Sequence, residues 1–394
     1  MALRFAKRMS KAKKSFVREI FKYLGDPEMI SFSGGFPNPA SFPVDGIKEA
    51  AVKVLESDGA NVLQYSSSEG YLPLRQYIAG RYDKRFGLKV DPSEILIVNG
   101  SQQAFDLIAK VFLDVDDTVV IEHPAYLGAL QSFSFYEPKF KEVKLTETGL
   151  DLDQLKQALA DNPKLMYVVP NFQNPTGLTY SKENREAVAK LVKQTDTILI
   201  EDDPYGELRF RGQDNLPIKS YLGDQAIMLG SFSKIISPGM RMGWIVARKE
   251  IMEKLIIAKQ ASDLHSNYFS QRVICQYLMD NDIDEHIKTI KAMYLAQREQ
   301  MLKSIKQYFD PSITYTEPEG GMFLWVSLPQ GVSAMKLFEN AVIQKIVYVP
   351  GDPFYAFGDD LNTLRLNYTN STAEEIDEGI QRLARVFNQA IKKD

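Results

Sequence analysis

Between Glu94 and Ala247 the chain repeats one pattern, a short and almost wholly apolar run followed by a helical stretch, and this pattern restricts the folds open to it. The runs are Glu94-Ile-Leu-Ile-Val98, Thr118-Val-Val-Ile-Glu122, Leu165-Met-Tyr-Val-Val169, Thr197-Ile-Leu-Ile-Glu201, Ala226-Ile-Met-Leu229 and Met242-Gly-Trp-Ile-Val-Ala247. The spacing predicts helices over 101–113, 126–135 and 181–194. A strand that is apolar on both sides has no face to offer water, so the sheet is expected to be mostly parallel and covered by helices on both faces. The fold class is α/β.

At 394 residues the chain is longer than one core usually holds, and a second, smaller α+β domain is expected. Beyond Arg248 the pattern turns helical, through Cys275 and a charged run from Asp284 to Tyr308. Candidate strands follow at 312–316, 321–326 and 363–367, with a helix near 334–344 and a last one from Ala373. We divide the chain into an N-terminal arm, 1–40, that packs with the small domain, a large domain, 41–283, and the small C-terminal domain, 284–394. The arm reads as a basic amphipathic helix over 1–24, an extended piece Met29–Ser33, and the turn Gly34-Gly-Phe-Pro-Asn-Pro39, where two prolines and two glycines stop regular structure. Helices over 44–57 and 72–86 flank a polar loop, Gln64-Tyr-Ser-Ser-Ser-Glu-Gly70.

A net charge of −4 argues against a general nucleic-acid surface, although Arg4, Lys7, Arg8, Lys11, Lys13 and Lys14 make the first residues basic. The single cysteine, Cys275, excludes an intrachain disulfide and fits a reducing compartment. No run is long and apolar enough to span a bilayer, and the N-terminus lacks the apolar centre of a secretory signal. These features predict a cytoplasmic protein with neither membrane nor nucleic-acid partner. Three scattered histidines supply no metal site.

The chemistry collects where strands end, which is where open α/β sheets bind ligands. Lys234 lies in Gly230-Ser-Phe-Ser-Lys-Ile-Ile-Ser-Pro-Gly-Met-Arg-Met-Gly-Trp244, a turn between two strands. Its amine suits a carbonyl, while Ser231, Ser233 and Arg241 suit a phosphate; a phosphorylated aldehyde cofactor needs both. Ser101 and Gln102 open a helix after a strand, where free N–H groups and the dipole attract anions, although the same residues make an ordinary helix start. Tyr126 follows another strand end and could stack on a flat ring or simply pack. Asn174, in Asn174-Pro-Thr-Gly177, and Asp202 with Tyr205, in Glu201-Asp-Asp-Pro-Tyr205, close two more strands. A pyridine ring kept protonated needs a buried carboxylate at its nitrogen and uncharged donors at its oxygen. Asp202 suits the first, Asn174 and Tyr205 the second, and spacing alone leaves Asp203 as a competitor of Asp202.

Taken in order, Gly-Gly-Phe-Pro-Asn-Pro, Gln-Tyr-Ser, Asn-Pro-Thr-Gly, Asp-x-x-Tyr, Ser-x-Ser-Lys and a late arginine resemble the fold-type I aminotransferases that use pyridoxal 5'-phosphate. Within that family the chain looks most like the group of 2-aminoadipate and kynurenine aminotransferases, over about residues 15–370. The resemblance implies a transaminase that moves the amino group of 2-aminoadipate, glutamate, or a branched or aromatic donor to 2-oxoglutarate by a ping-pong route. It assigns Lys234 to the covalent bond with the cofactor and to proton transfer, and selects Asp202, three residues before Tyr205, for the ring nitrogen. Ser101, Gln102, Ser231, Ser233 and Arg241 fall to the phosphate, and Tyr126 to the ring face. Arg365 matches the clamp on the substrate α-carboxylate, and Gly35 belongs to a turn that walls the substrate. Tyr65 would reach the phosphate in a second subunit, which implies a homodimer with shared sites. Arg18, with Ser15 one turn earlier, matches an arginine that meets the far carboxylate of acidic substrates. Two other readings are compatible with part of this set: a β-elimination or decarboxylation on the same fold, and a regulatory domain that binds the cofactor without catalysis. Only about thirty residues precede Gly34, too few for a fused winged helix.

Overall fold

The computed structural model describes residues 3–10, 19–23, 25–358 and 362–392. Ser15 and Arg18 lie outside them. Strand β1, Ile30–Ser31, precedes an eight-stranded sheet built from β2 (Ile95–Val98), β3 (Thr118–His123), β4 (Lys139–Thr146), β5 (Gly149–Leu150), β6 (Leu165–Val168), β7 (Ile198–Asp202), β8 (Ala226–Ser231) and β9 (Gly243–Val246). Its order is β2-β9-β8-β7-β6-β3-β4-β5. Neighbours from β8 through β4 are parallel, β9 runs antiparallel to both β2 and β8, and β5 folds back on β4.

Alternation along the strands shows why these runs are apolar throughout. Val119, Ile121, Leu165, Tyr167 and Ile200 face one core with the helices Ser101–Phe112 and Lys249–Gln260. Val120, Met166, Val168 and Leu199 face a second core with the helices Leu152–Leu159 and Lys182–Val192. Every one of these side chains is fully or almost fully buried, so each strand removes two apolar faces from water rather than one.

The smaller sheet is antiparallel, in the order β10-β11-β14-β13, from β10 (Thr314–Tyr315), β11 (Phe323–Ser327), β13 (Val349–Pro350) and β14 (Thr363–Asn367). β12 (Ile346–Val347) pairs with β1 instead, and Phe32 extends that pairing by donating its N–H to the Val347 carbonyl and accepting from the Asn367 N–H. The helix Ile283–Tyr308 spans the charged run, capped by Asp282, whose side chain accepts from the N–H groups of Asp284 and Glu285.

Three expectations need correction. The expected helix over 1–24 is not continuous where the chain is described: a 3₁₀ turn covers Lys7–Ser10, Glu19 and Ile20 are α-helical, and a second 3₁₀ turn covers Phe21–Tyr23. Leu3 and Phe5 stay exposed, so the first residues have no buried apolar face to support a helix, whereas Ile20 is buried. The helix from Val44 runs to Val62, five residues beyond the expected end, with a break at Gly59 (φ 23°, ψ −104°) that only a residue without Cβ adopts freely. Finally, β4, β5 and the helix Leu152–Leu159 went unpredicted; Lys139-Phe-Lys-Glu-Val-Lys-Leu-Thr146 carries four charges, and its burial pattern is that of a strand near a sheet edge.

Candidate active site

Because β3, β6, β7 and β8 run parallel, their carboxyl ends open on one edge of the sheet, and the loops leaving them line a single cleft of about 580 Å³. That is room for a small cofactor with a substrate. Lys234, Asp202, Tyr205, Asn174, Tyr126, Ser101, Gln102, Ser231, Ser233, Arg241, Arg365 and Gly35 all line it. Tyr65 does not: it is 78% exposed outside its own chain's cleft, edge-on to His265 at 5.8 Å.

The anionic end of the cleft is Asp202, 2% exposed at the last position of β7. Oδ2 accepts from the Tyr167 hydroxyl at 2.9 Å, while Oδ1 has no partner. Burial above all, aided by the Asp203 charge, pushes this carboxyl up to about 7, against the hydrogen bonds from Tyr167 and Ser101. Asp203 is a different kind of group. Its Oδ1 accepts from Asn171 Nδ2 and from the Gly206 N–H, both at 2.9 Å, outside the cleft lining. Asp203 stands one residue beyond β7, and successive side chains along an extended backbone point to opposite faces, which separates the two acids that spacing left undecided.

Lys234 sits in a 3₁₀ turn, Phe232–Lys234, opened by Ser231, whose hydroxyl accepts from the Ser233 N–H at 3.1 Å. Its Nζ donates to the Gly35 carbonyl at 2.7 Å. Burial first, then the Arg365 and Arg241 charges, push this amine down to about 8, so a useful fraction is neutral near neutral pH. Arg241 holds φ 52° in the left-handed region and donates from Nη2 to the Asn99 carbonyl at 3.1 Å. Its guanidinium lies so close to Gly100 (φ 76°) that a Cβ there would come within 2.9 Å of Nη2. The helix starting at Ser101 has no capping side chain, which leaves its first N–H groups toward the cleft without one. The Gln102 side chain turns away, donating to Gly128 O at 3.1 Å and Ser132 Oγ at 2.6 Å, so its backbone N–H is what it offers an anion.

Arg365 comes from β14 in the other sheet. It is buried, donates from Nη1 to Asn174 Oδ1 at 2.7 Å and from Nη2 to the Ser33 carbonyl at 2.6 Å, and leaves Nε unpartnered. Phe323 stacks beneath its guanidinium at 4.3 Å. Burial pushes it down to about 10, and no carboxylate among the described residues pairs with it. Asn174 Nδ2 in turn reaches the Tyr205 hydroxyl at 3.5 Å, and burial raises that phenol well above its ordinary range. The Tyr126 ring is packed edge-on against Phe105 at 6.1 Å, over Gly128, where a Cβ would collide with the ring at 2.7 Å.

These groups fit pyridoxal phosphate on their own chemistry. The open Asp202 oxygen asks for a cationic N–H donor, the Ser101 helix start with Ser231, Ser233 and Arg241 asks for an anion, and the amine between them is partly neutral. Sequence reasoning missed Phe36, Leu127, Gln131, Pro204 and Pro238, which also line the cleft. They carry no charge, and they are spread over loops, the 3₁₀ turn Pro238–Met240 and the helix Leu127–Ser134, so no pattern marked them.

Comparison with known proteins agrees. The profile of the aminotransferase class I and II family matches residues 27–383. The chain is 40% identical over 396 residues to aromatic-amino-acid aminotransferase 1 of Thermococcus litoralis, covering 99% of this chain and 95% of that relative. Among solved structures it resembles a Pyrococcus horikoshii kynurenine aminotransferase in complex with PMP (TM-score 0.94, 40% identity, 98% and 97% of the two chains). It also resembles an α-aminoadipate aminotransferase from Thermus thermophilus holding N-(5'-phosphopyridoxyl)-L-leucine (TM-score 0.92, 37% identity, 99% and 98%).

The raised Asp202 carboxyl sets a pH dependence. An acid whose folded pKa lies near 7 against about 3.9 unfolded binds its proton more tightly in the folded chain, so the burial penalty is absent below pH 4, grows between the two values and is complete above 7. In the cofactor-free protein, Asp202→Asn is expected to raise the thermal midpoint at pH 8 and to raise it much less at pH 5. A gain that grows toward pH 5 would contradict the burial account.

Proposed function

Because this chain belongs to the aminotransferase class I and II family and is a pyridoxal-phosphate-dependent transaminase, we propose that it passes the amino group of an aromatic, branched-chain or acidic amino acid to 2-oxoglutarate, as a cytoplasmic homodimer. The observation that supports this reading best is that a partly neutral lysine, a carboxylate with one open oxygen and a buried arginine without an acid partner line one cleft. No helix among the described residues is long and apolar enough to cross a membrane.

Bound pyridoxal phosphate supplies an aldehyde carbon that takes the amino group and a ring that withdraws charge from the α-carbon. Asp202 Oδ1 would keep the ring nitrogen protonated, and the Tyr205 hydroxyl with Asn174 Nδ2 would donate to the ring oxygen. Tyr126 would cover the ring face. The backbone N–H groups of Ser101 and Gln102, the hydroxyls of Ser231 and Ser233, and Arg241 would hold the phosphate. Arg365 offers its planar fork to the α-carboxylate, already flat on Phe323 and braced by Asn174. Lys234 Nζ, steered by the Gly35 carbonyl, takes the α-proton and moves it across the face of the site. Running these steps in reverse with a 2-oxo acid returns the enzyme to its start, a ping-pong sequence.

The domain division proposed above places residues 1–40 with the small domain, 284–394. The pairing of Ile30–Ser31 with Ile346–Val347 supports it.

Lys234→Ala is expected to abolish transamination and the visible absorbance of covalently held cofactor; a variant with both intact would sink the assignment. Tyr65 has a use here only if a second subunit brings its own cleft to it. Light scattering should give a dimer, and Tyr65→Phe should weaken cofactor retention without altering the circular dichroism; a fully active monomer contradicts this.

For acidic donors a further cation is needed, because Lys234, Arg241 and Arg365, the cations that line the cleft among the described residues, already have tasks. We assign it to Arg18, with Ser15 as a second candidate, on the resemblance that marked both. A desolvated charge-assisted pair contributes about 1.5–3 kcal/mol, so Arg18→Ala should lower kcat/KM for glutamate and 2-aminoadipate by about ten- to a hundred-fold while leaving leucine nearly unchanged. Equal losses for both classes would make Arg18 structural.

A further inference from the structure

Lys259 is a buried charge that the reaction above does not use. It lies at the end of the helix Lys249–Gln260 and is fully buried. A lysine is rarely found at such depth without a paired acid, because removing an ammonium from water costs several kcal/mol. Its Nζ donates to both oxygens of Asp263 at 3.0 Å, to Ser266 Oγ at 3.0 Å and to Gln103 Oε1 at 3.2 Å.

What these partners hold is one residue, Asn99. Asp263 Oδ2 accepts from Asn99 Nδ2 at 2.7 Å and from Gln103 Nε2 at 2.7 Å, while Gln103 Oε1 accepts from the Asn99 backbone N–H at 2.8 Å. The Asn99 carbonyl accepts from Arg241 on the cleft side. Ser266 Oγ, the remaining partner, donates to the Ile97 carbonyl at 3.2 Å, near the end of β2. Asn99 leads straight into Gly100 and Ser101, the start of the helix whose N–H groups face the cleft. That turn has little slack, since Gly100 touches Arg241 on one side and lies 2.9 Å from where a Gly243 Cβ would stand.

We propose that Lys259 and Asp263 are positioning residues for the cofactor phosphate: a buried ion pair behind the sheet edge fixes Asn99, and through it the aim of the Ser101 and Gln102 N–H groups. The inference rests on the assignment of the phosphate to that turn. Lys259 also cancels the Asp263 charge. Without the ammonium, Asp263, whose side chain is 23% exposed, gains more from turning toward water than from holding two amides, and Asn99 loses its anchors. Hydrogen-bond donors stabilise an anion only when they are held where its oxygens will sit. The ring-binding groups, Asp202 at the end of β7 with Tyr205 and Asn174 in the loops after β7 and β6, make no contact with Lys259 or Asp263.

Phosphate and ring can therefore be separated by experiment. Pyridoxal phosphate and pyridoxal, which lacks the phosphate, are titrated into the cofactor-free protein, with binding read from absorbance and the thermal midpoint recorded alongside. Lys259→Met is expected to weaken pyridoxal phosphate by about ten-fold and to leave pyridoxal unchanged. Asp263→Asn, which keeps the side chain's size and an oxygen acceptor at a part-exposed position, is expected to show the same selective loss and is read alone if Lys259→Met does not fold. Equal weakening of both ligands, or no weakening of either, overturns the proposal and makes the pair structural. Arg241→Ala serves as the reference: if it erases the wild-type preference for the phosphorylated ligand while Asp263→Asn does not, only the positioning role fails. If the wild type shows no preference at all, the phosphate assignment falls, and this inference with it.

Discussion

One guanidinium joins three separate parts of this chain. Arg365 is delivered by the small antiparallel sheet, accepted by Asn174 at the end of a large-sheet strand, and accepted again by the Ser33 carbonyl beside the strand that ties the N-terminal segment to β12. Burying such a charge without an acid is unfavourable unless its N–H groups are satisfied, and here only two of its three nitrogens are. The arrangement is therefore incomplete by construction. Two carbonyl-type acceptors and an aromatic floor hold the fork in place, and the remaining donor capacity is left for an anion that the chain itself does not provide.

The same incompleteness recurs at Asp202, and its contrast with other buried acids separates reactive groups from structural ones. Glu122 is also fully buried and also pushed up to about 7 by burial, yet it accepts from the Tyr180 hydroxyl, the Val169 N–H and Gln173 Nε2. Glu201 accepts from the N–H groups of Ile218 and Lys219. Both carboxylates hold loops: Glu122 fixes Gln173, whose side-chain oxygen accepts from the Thr176 N–H, and so fixes the turn that carries Asn174. A shifted carboxyl thus marks nothing by itself. The distinguishing feature is the unsatisfied oxygen of Asp202 facing the cleft, a cost of folding that a cationic ring nitrogen removes.

How much of this was legible in the residues depended on the kind of signal. The six apolar runs became strands of the large sheet within a residue or two at most ends, because double-sided burial leaves no other use for them. The cleft residues at strand ends were equally visible, since Asn174, Asp202, Tyr205 and Lys234 follow apolar runs directly. The choice between Asp202 and Asp203 came from the Asp-x-x-Tyr motif of the resemblance and not from spacing, because it depends on which of two adjacent identical acids faces the cleft. β4 was missed for the opposite reason: its charges suit a half-buried strand, and a search for wholly apolar runs passes over it. The network around Lys259 and Asp263 was invisible because its other partners lie far away in sequence, Asn99 to Asp263 being separated by 164 positions.

Glycine positions extend the same argument to the cofactor end of the cleft. Gly100 is pressed against Arg241, a Cβ on Gly243 would stand 2.9 Å from Gly100 Cα, and one on Gly128 would strike the Tyr126 ring. Each of these glycines is small because a neighbour has to come close, and the neighbours are groups lining the cleft or the turn beside it. A left-handed arginine at 241 follows from the same crowding: its backbone departs from the ordinary regions so that its side chain can return to the Asn99 carbonyl. Gly100, Arg241 and Gly243 therefore lie together at the edge where β2, β8 and β9 meet, while the other side of that edge is held by Lys259 and Asp263. Rigidity behind the turn and close approach in front of it are one arrangement: backbone donors aimed at an anion keep their aim only if the residues on both sides are packed without slack.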